Sequence, residues 1–246
     1  MKRYLHAFVM CQSMFCAIPC PVQLWDEDAR EWMLSMLPLV GLEIGALWAL
    51  LGWLTGMLGL PALVRGAALA LFPYLATGSL HLDGFMDVTD AVKSCRDLPR
   101  RREILKDSHV GSFAVIGLCM LLLVQTVLFA GVPAERSSLV LLFIPGVSRC
   151  CSALAVTGLP AMATSQYAAQ KKNTSRLGRL AAAACLLTAL GFALCGRMGF
   201  ALIGCIAGYG AALRRAYRAL EGMNGDIAGY ALTVGELCAV AVYALI

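Results

Sequence analysis

The chain has 246 residues, 60% of them hydrophobic and 14% charged, and its 20 Lys and Arg against 15 Asp and Glu leave a formal net charge of +5. Its mean hydropathy is +0.75. A soluble domain carries about 25% charged residues, so this composition excludes a disordered chain, a collagen-like repeat and a DNA-binding domain, and no nucleic-acid partner is expected.

Three stretches carry no charge at all: Ile44–Val64, Val110–Ala134 and Cys150–Gln170. Each reaches the ~20 residues that a helix needs to cross about 30 Å of hydrocarbon. The expectation is an all-α, polytopic transmembrane helical bundle, one domain over residues 1–246, in contact with membrane lipid. The N-terminal stretch is only mildly apolar and contains Pro19 and Pro21, so it reads as mature protein rather than a secretion signal. The 11 Cys form no C-x-x-C pair and read as small apolar filler in helices.

Charge-free runs give about seven candidate spans, near 35–55, 61–80, 112–131, 137–158, 180–196, 198–213 and 228–246. The first holds Glu43, which needs a partner. The connection after the second holds the densest chemistry, Thr77-Gly78-Ser79-Leu80-His81-Leu82-Asp83-Gly84-Phe85-Met86-Asp87-Val88-Thr89-Asp90-Ala91. As a helix it puts Asp83, Asp87 and Asp90 at i, i+4 and i+7, within an arc of about 60°. At ~5 Å and an effective dielectric near 20, each close pair of these charges costs about 3 kcal/mol. A divalent cation with oxygen ligands offsets that. Gly78 and Gly84 allow a ligand or backbone to approach closely. His81 reads equally as a general base or phosphate contact and as an interface histidine.

A second polar run, Pro99 to Gly111, leads into the third span. Pro99 suits a first helical turn, and Arg100–Arg102 read as a membrane-flanking cluster. Lys106 is placed to meet phosphate and Asp107 to meet metal. Arg149 lies inside the fourth span, where an Arg must face an anion, either a carboxylate or a substrate phosphate. The fifth and sixth spans are short and form a hairpin about Arg197. Glu221 to Gly229, with Asp226 among three glycines, opens the last span, and Glu236 lies roughly 15 Å deeper along the helix.

Lys and Arg concentrate in alternate connections. Lys93, Arg96, Arg100, Arg101, Arg102 and Lys106 fill one, Lys171, Lys172, Arg176 and Arg179 the next, and Arg214, Arg215 and Arg218 the third. The intervening connections hold only Arg65, Arg136 and Arg197. This asymmetry puts the N-terminus and the polar segments 77–111, 165–179 and 214–227 on the cytoplasmic face. Carboxylates for metal beside cations for phosphate, on one face of a helical bundle, describe a Mg²⁺-dependent phosphoryl-group transferase.

Gly78–Ala91 closely resembles the G-G-L-H-x-D-G-x-x-D-x-x-D signature of the cobalamin synthase (adenosylcobinamide-GDP ribazoletransferase) family. Lys106-Asp107-Ser108-His109-Val110-Gly111 resembles its K-D-S-x-x-G segment, Ser148-Arg149 its S-R-W element, and Gly225-Asp226 with Glu236-Leu237 its C-terminal T-G-D…E-L. Phe15 to Pro21 and Leu37 to Gly41 resemble its N-terminal proline elements. Ser79, His109, Cys150 and Asn224 depart from the pattern, and none of them removes a carboxylate.

The resemblance implies that α-ribazole or its 5′-phosphate attacks adenosylcobinamide-GDP, giving adenosylcobalamin or its 5′-phosphate and GMP, with Mg²⁺, in the inner membrane. It implies metal ligation by Asp83, Asp87, Asp90, Asp107 and Asp226, with Asp90 or His81 as base. Lys106, Arg149, Gly78, Gly84 and Ser108 fall at substrate, and Glu236 is a secondary candidate. Other cobalamin-assembly enzymes are possible partners. Two rival readings are a CDP-alcohol phosphatidyltransferase, whose pattern wants Ala-Arg where Met86-Asp87 stand, and an ion-coupled transporter using Glu43, Arg149 and Glu236.

Overall fold

The computed structural model describes residues 2–165 and 173–246. The basic pair Lys171 and Lys172 lies outside the described residues, and the polar segment 165–179 is described only at Ser165 and from Asn173 onward. The helices run α1 (Lys2–Phe15), α2 (Glu27–Arg30), α3 (Met33–Met57), α4 (Ala62–Ala76), α5 (Leu80–Lys93), α6 (Leu98–Ile104), α7 (Ser112–Gly131), α8 (Val140–Gly158), α9 (Thr174–Cys195), α10 (Phe200–Leu220) and α11 (Gly225–Leu245). Among the described residues the β structure is one parallel bridge between Ala161 and Met223.

Five stretches are long and apolar enough to cross a membrane, namely α3, α7, α8, Thr174–Leu220 and α11, or six if α4 and α5 count together. The apolar faces of α7 and of the α9–α10 pair point outward, with Leu123 66% and Leu194 61% exposed. Such faces are stable only against hydrocarbon, so the chain is a multi-pass membrane protein. Within Thr174–Leu220 the chain turns back at Gly196, whose φ is +58°. There the Phe192 and Phe200 rings stand edge to face with centroids 5.1 Å apart, whereas eight residues of straight helix would separate them by about 12 Å.

The second span differs from its expected extent of 61–80. α4 stops at Ala76, and α5 leaves at 94° to it. The amide of Gly78 donates to the Leu75 carbonyl at 3.2 Å and that of Ser79 to the Tyr74 carbonyl at 2.8 Å, the paired bonds of a Schellman stop. Gly78 and Ser79 have φ of +58° and +64°, and this left-handed pair turns the chain sharply. With 15 residues, α4 reaches only about 22 Å.

At the opposite end of α4 the buried Arg65 donates to the Val132 and Pro133 carbonyls that end α7. The Trp48 indole donates to the Leu69 carbonyl at 2.8 Å, tying α3 to α4. α8 runs through the middle of the bundle, buried from Phe143 through Cys150, with α3, α9, α10 and α11 packed around it.

The end of the bundle that carries α6 is held by arginines. Arg101 donates to the Ala219 carbonyl at 3.2 Å, and Arg102 to those of Leu220 and Glu221 at 3.0 and 2.8 Å. Two of the three arginines expected only to flank the membrane therefore cap α10, where cations meet the open carbonyls and negative pole of a helix end. The Met162 amide bonds the Met223 carbonyl at 2.9 Å, and the Met223 amide the Pro160 carbonyl at 2.9 Å. The α5–α7, α8–α9 and α10–α11 connections thus meet at one end of the molecule.

Candidate active site

α5 is the platform. Its inner face buries Phe85, Val88 and Ala91, with the Phe85 ring stacked on Tyr230 of α11 at 5.7 Å. The other face presents Asp83, Asp87 and Asp90. Gly84 lets α5 cross the first turn of α11 at backbone contact, since a Cβ there would stand 2.8 Å from the Asp226 carbonyl oxygen. That crossing carries Asp226 up to the acidic face. The charges of Asp83, Asp226 and Asp90 all bear on half-buried Asp87.

Asn224 fixes Asp226. Its Oδ1 accepts from the Ile227 amide at 3.0 Å, capping α11, and its Nδ2 donates to Asp226 Oδ2 at 2.6 Å. A carboxylate in a helix's first turn also gains from the helix dipole. Sequence reasoning noted Asn224 only as a departure; a capping residue two positions before an acid was the signal for its role.

Asp90 rests against the backbone at the start of α7. A Cβ at Gly111 would overlap its carboxylate, so the glycine makes that seat available. Between α6, the segment that follows α8 and the start of α11 lies a cavity of ≈ 200 Å³ lined by Arg102, Lys106, Thr164, Asn224 and Asp226, among others. Lys106 therefore shares a cleft with Asp226.

Asp107 lies in the connection between α6 and α7. It accepts from the His109 amide at 3.0 Å and lies 2.7 Å from His109 Nδ1, and these bonds hold its carboxyl below the usual range. Ser108 is exposed in the same turn. Among the described residues, no three carboxylate, imidazole or thiol side chains surround a single ion-sized point.

His81 lies on the bundle-facing side of α5, 8% exposed, and its ring stacks on Phe15 of α1 at 6.4 Å. Its carbonyl accepts from Thr233 Oγ1 at 3.3 Å, and its Nε2 has no partner. Arg149, 1% exposed, faces a carboxylate, and its Nη1 lies 2.8 Å from Glu236 Oε1. Ser148 Oγ donates to the same oxygen at 2.7 Å, so the enclosed guanidinium offers no surface to a substrate phosphate. Glu43 accepts from Gln12 Nε2 of α1 at 2.9 Å. Gly78 serves the α4–α5 turn, with Ala17 of the N-terminal segment beside it.

A family model described as cobalamin-5-phosphate synthase matches residues 7–244. The chain belongs to the cobalamin-5-phosphate synthase family. Members of this family are transferases of cobalamin biosynthesis, and this one is a multi-pass membrane enzyme with cobalamin synthase activity. It is 34% identical over 253 residues to the adenosylcobinamide-GDP ribazoletransferase of Clostridium perfringens strain 13, covering 100% of each chain. It is 31% identical over 245 residues to that of Clostridium botulinum strain Alaska E43, covering 96% of each. The protein of the same name from Lachnoclostridium phytofermentans is 31% identical over 248 residues, 96% of this chain and 92% of the other. No solved structure matches.

Proposed function

We propose that this synthase transfers the adenosylcobinamide phosphate of adenosylcobinamide-GDP to a ribose hydroxyl of α-ribazole or of its 5′-phosphate. The products are adenosylcobalamin or its 5′-phosphate, and GMP. The reaction takes place at the α5–α6–α11 end of the bundle, on the cytoplasmic face of the inner membrane. The observation that carries the reading is the gathering of Asp226 onto the Asp83, Asp87 and Asp90 face. The relatives' shared name and the basic bias of these connections support it.

The donor set is carboxylate oxygen without thiol or imidazole, which suits a hard divalent cation such as Mg²⁺. Asp83, Asp87 and Asp226 would hold it. When bound it supplies charge neutralisation for the pyrophosphate and for the departing phosphate. Lys106, in the cleft with Asp226, holds the pyrophosphate. Asp90 accepts the proton of the attacking hydroxyl as its oxygen bonds to phosphorus and the bond to GMP breaks. Arg149 and Glu236 act within the bundle, and His81 packs α5 onto α1 and α11.

The test is GMP release from adenosylcobinamide-GDP and α-ribazole by purified protein. Asp83→Ala and Asp87→Ala should each lose at least about 100-fold, the scale of removing one transition-state stabiliser. Near-normal turnover in both would end the assignment.

A further inference from the structure

A larger cavity, ≈ 820 Å³, opens on the other side of α6 from the Lys106 cleft, between the end of α5, α6 and the start of α7. That volume lies in the range of small-molecule sites, about 300–1,000 Å³, whereas the cleft of ≈ 200 Å³ at Lys106 falls below it and suits a compact group. The larger cavity is lined by Asp90, Arg96, Arg100, Gly111, Ser112 and Phe113, among others. With Ser94 and Asp97 also in the lining, it brings together two carboxylates, two guanidinium groups, two hydroxyls and the ring of Phe113, a residue 42% exposed.

The charge inside it is available. Asp97, also in the lining, is engaged in capping α6, where it accepts from the Arg100 amide at 3.3 Å. Arg100 pairs with Glu103 at 2.7 Å in an exposed i,i+3 contact, the kind that contributes little and yields to a better anion. Arg96 is exposed and enters no ion pair among the described residues. Guanidinium groups favour phosphate through paired N–H donors, and an exposed Phe favours the face of an aromatic base.

We infer that this cavity is the acceptor subsite, in which Arg96 and Arg100 read a phosphomonoester on the acceptor's ribose and Phe113 carries its aromatic base. The inference rests on the transfer reaction proposed above and adds where the acceptor sits and how its phosphate is recognised. In-line displacement at phosphorus needs the entering hydroxyl and the departing GMP on opposite sides. The two cavities flank α6, with Asp226 lining one and Asp90 the other. An acceptor in the larger cavity presents its hydroxyl to the Asp90 carboxylate on Gly111. Its proton passes to Asp90, its oxygen bonds to phosphorus, and GMP leaves on the Lys106 side.

The experiment measures kcat/KM by GMP release for α-ribazole 5′-phosphate and for α-ribazole, and takes their ratio. Arg96→Ala and Arg100→Ala should each lower that ratio about tenfold, the loss of one charge-assisted contact, and Arg96→Lys should retain part of it. Turnover of α-ribazole in the same samples shows that each variant is folded. A ratio unchanged in the double Arg96→Ala, Arg100→Ala variant overturns the subsite while leaving the reaction standing. Failure of the unaltered protein to release GMP with either acceptor overturns the reaction, and the subsite with it.

Discussion

Arg149 Nη1 and Glu236 Oε1 lie 2.8 Å apart with both side chains almost fully enclosed, and this pair locks α8 to α11 in the middle of the bundle. Removing one partner of such a pair strands a buried charge and costs about 3–5 kcal/mol, whereas replacing both by apolar groups is often close to neutral. Glu236→Leu should therefore lower the unfolding midpoint in detergent sharply, and Arg149→Met with Glu236→Leu should restore most of the loss. A double variant as unstable as the single one would show that the pair is not the source.

Ser79 holds a left-handed backbone at φ +64°, a conformation that costs a residue with a side chain roughly 1–2 kcal/mol. Ser79→Gly should stabilise the protein by about 1 kcal/mol, less the extra freedom glycine gains when unfolded. Ser79→Val should destabilise it. Thermal unfolding of both in one detergent checks the sign.

The acidic face depends on the approach of α5 to α11 at Gly84. In Gly84→Ala the new methyl meets the Asp226 backbone at 2.8–2.9 Å, and the helices must move apart at a cost of about 1–3 kcal/mol. The variant should remain folded but need more Mg²⁺ for half-maximal GMP release. An unchanged Mg²⁺ requirement would detach Asp226 from the metal group.

Asn224 has two separable duties. Asn224→Ala should lose about 1 kcal/mol of capping energy along with the donor to Asp226. Asn224→Thr, the residue of the family pattern, keeps a capping oxygen without the amide donor. Unfolding midpoints should therefore place Asn224→Thr near the unaltered protein and Asn224→Ala below it.

The α5 face was legible in the sequence because three aspartates at i, i+4 and i+7 are read with the helical period alone. Its union with Asp226 was legible only coarsely, from the basic bias that puts both segments on one face and from motif resemblance, since nothing local links positions so far apart in the chain. The stop at Ala76 was hidden: the charge-free run continues to Leu80, and only the left-handed pair Gly78 and Ser79 turns the chain. Asp107 was singled out by type and position, whereas its bonds to His109 two residues on carry no sequence signal of their own. Arg149 demanded an anion, but whether that anion was Glu236 or a phosphate depended on which helix packs against α8. Arg101 and Arg102 looked like surface charge because their partners are carbonyls, which carry no sequence signal.

The most direct test of the central proposal is a double-mutant cycle on Asp87 and Asp226, reading GMP release across a Mg²⁺ titration. If both carboxylates serve one cation, Asp87→Asn and Asp226→Asn should each raise the Mg²⁺ requirement and lower turnover, and the double variant should lose far less than the product of the two single losses. Losses that simply multiply, or a Mg²⁺ requirement untouched in either single variant, would contradict the proposal that these two helices deliver their carboxylates to a shared metal.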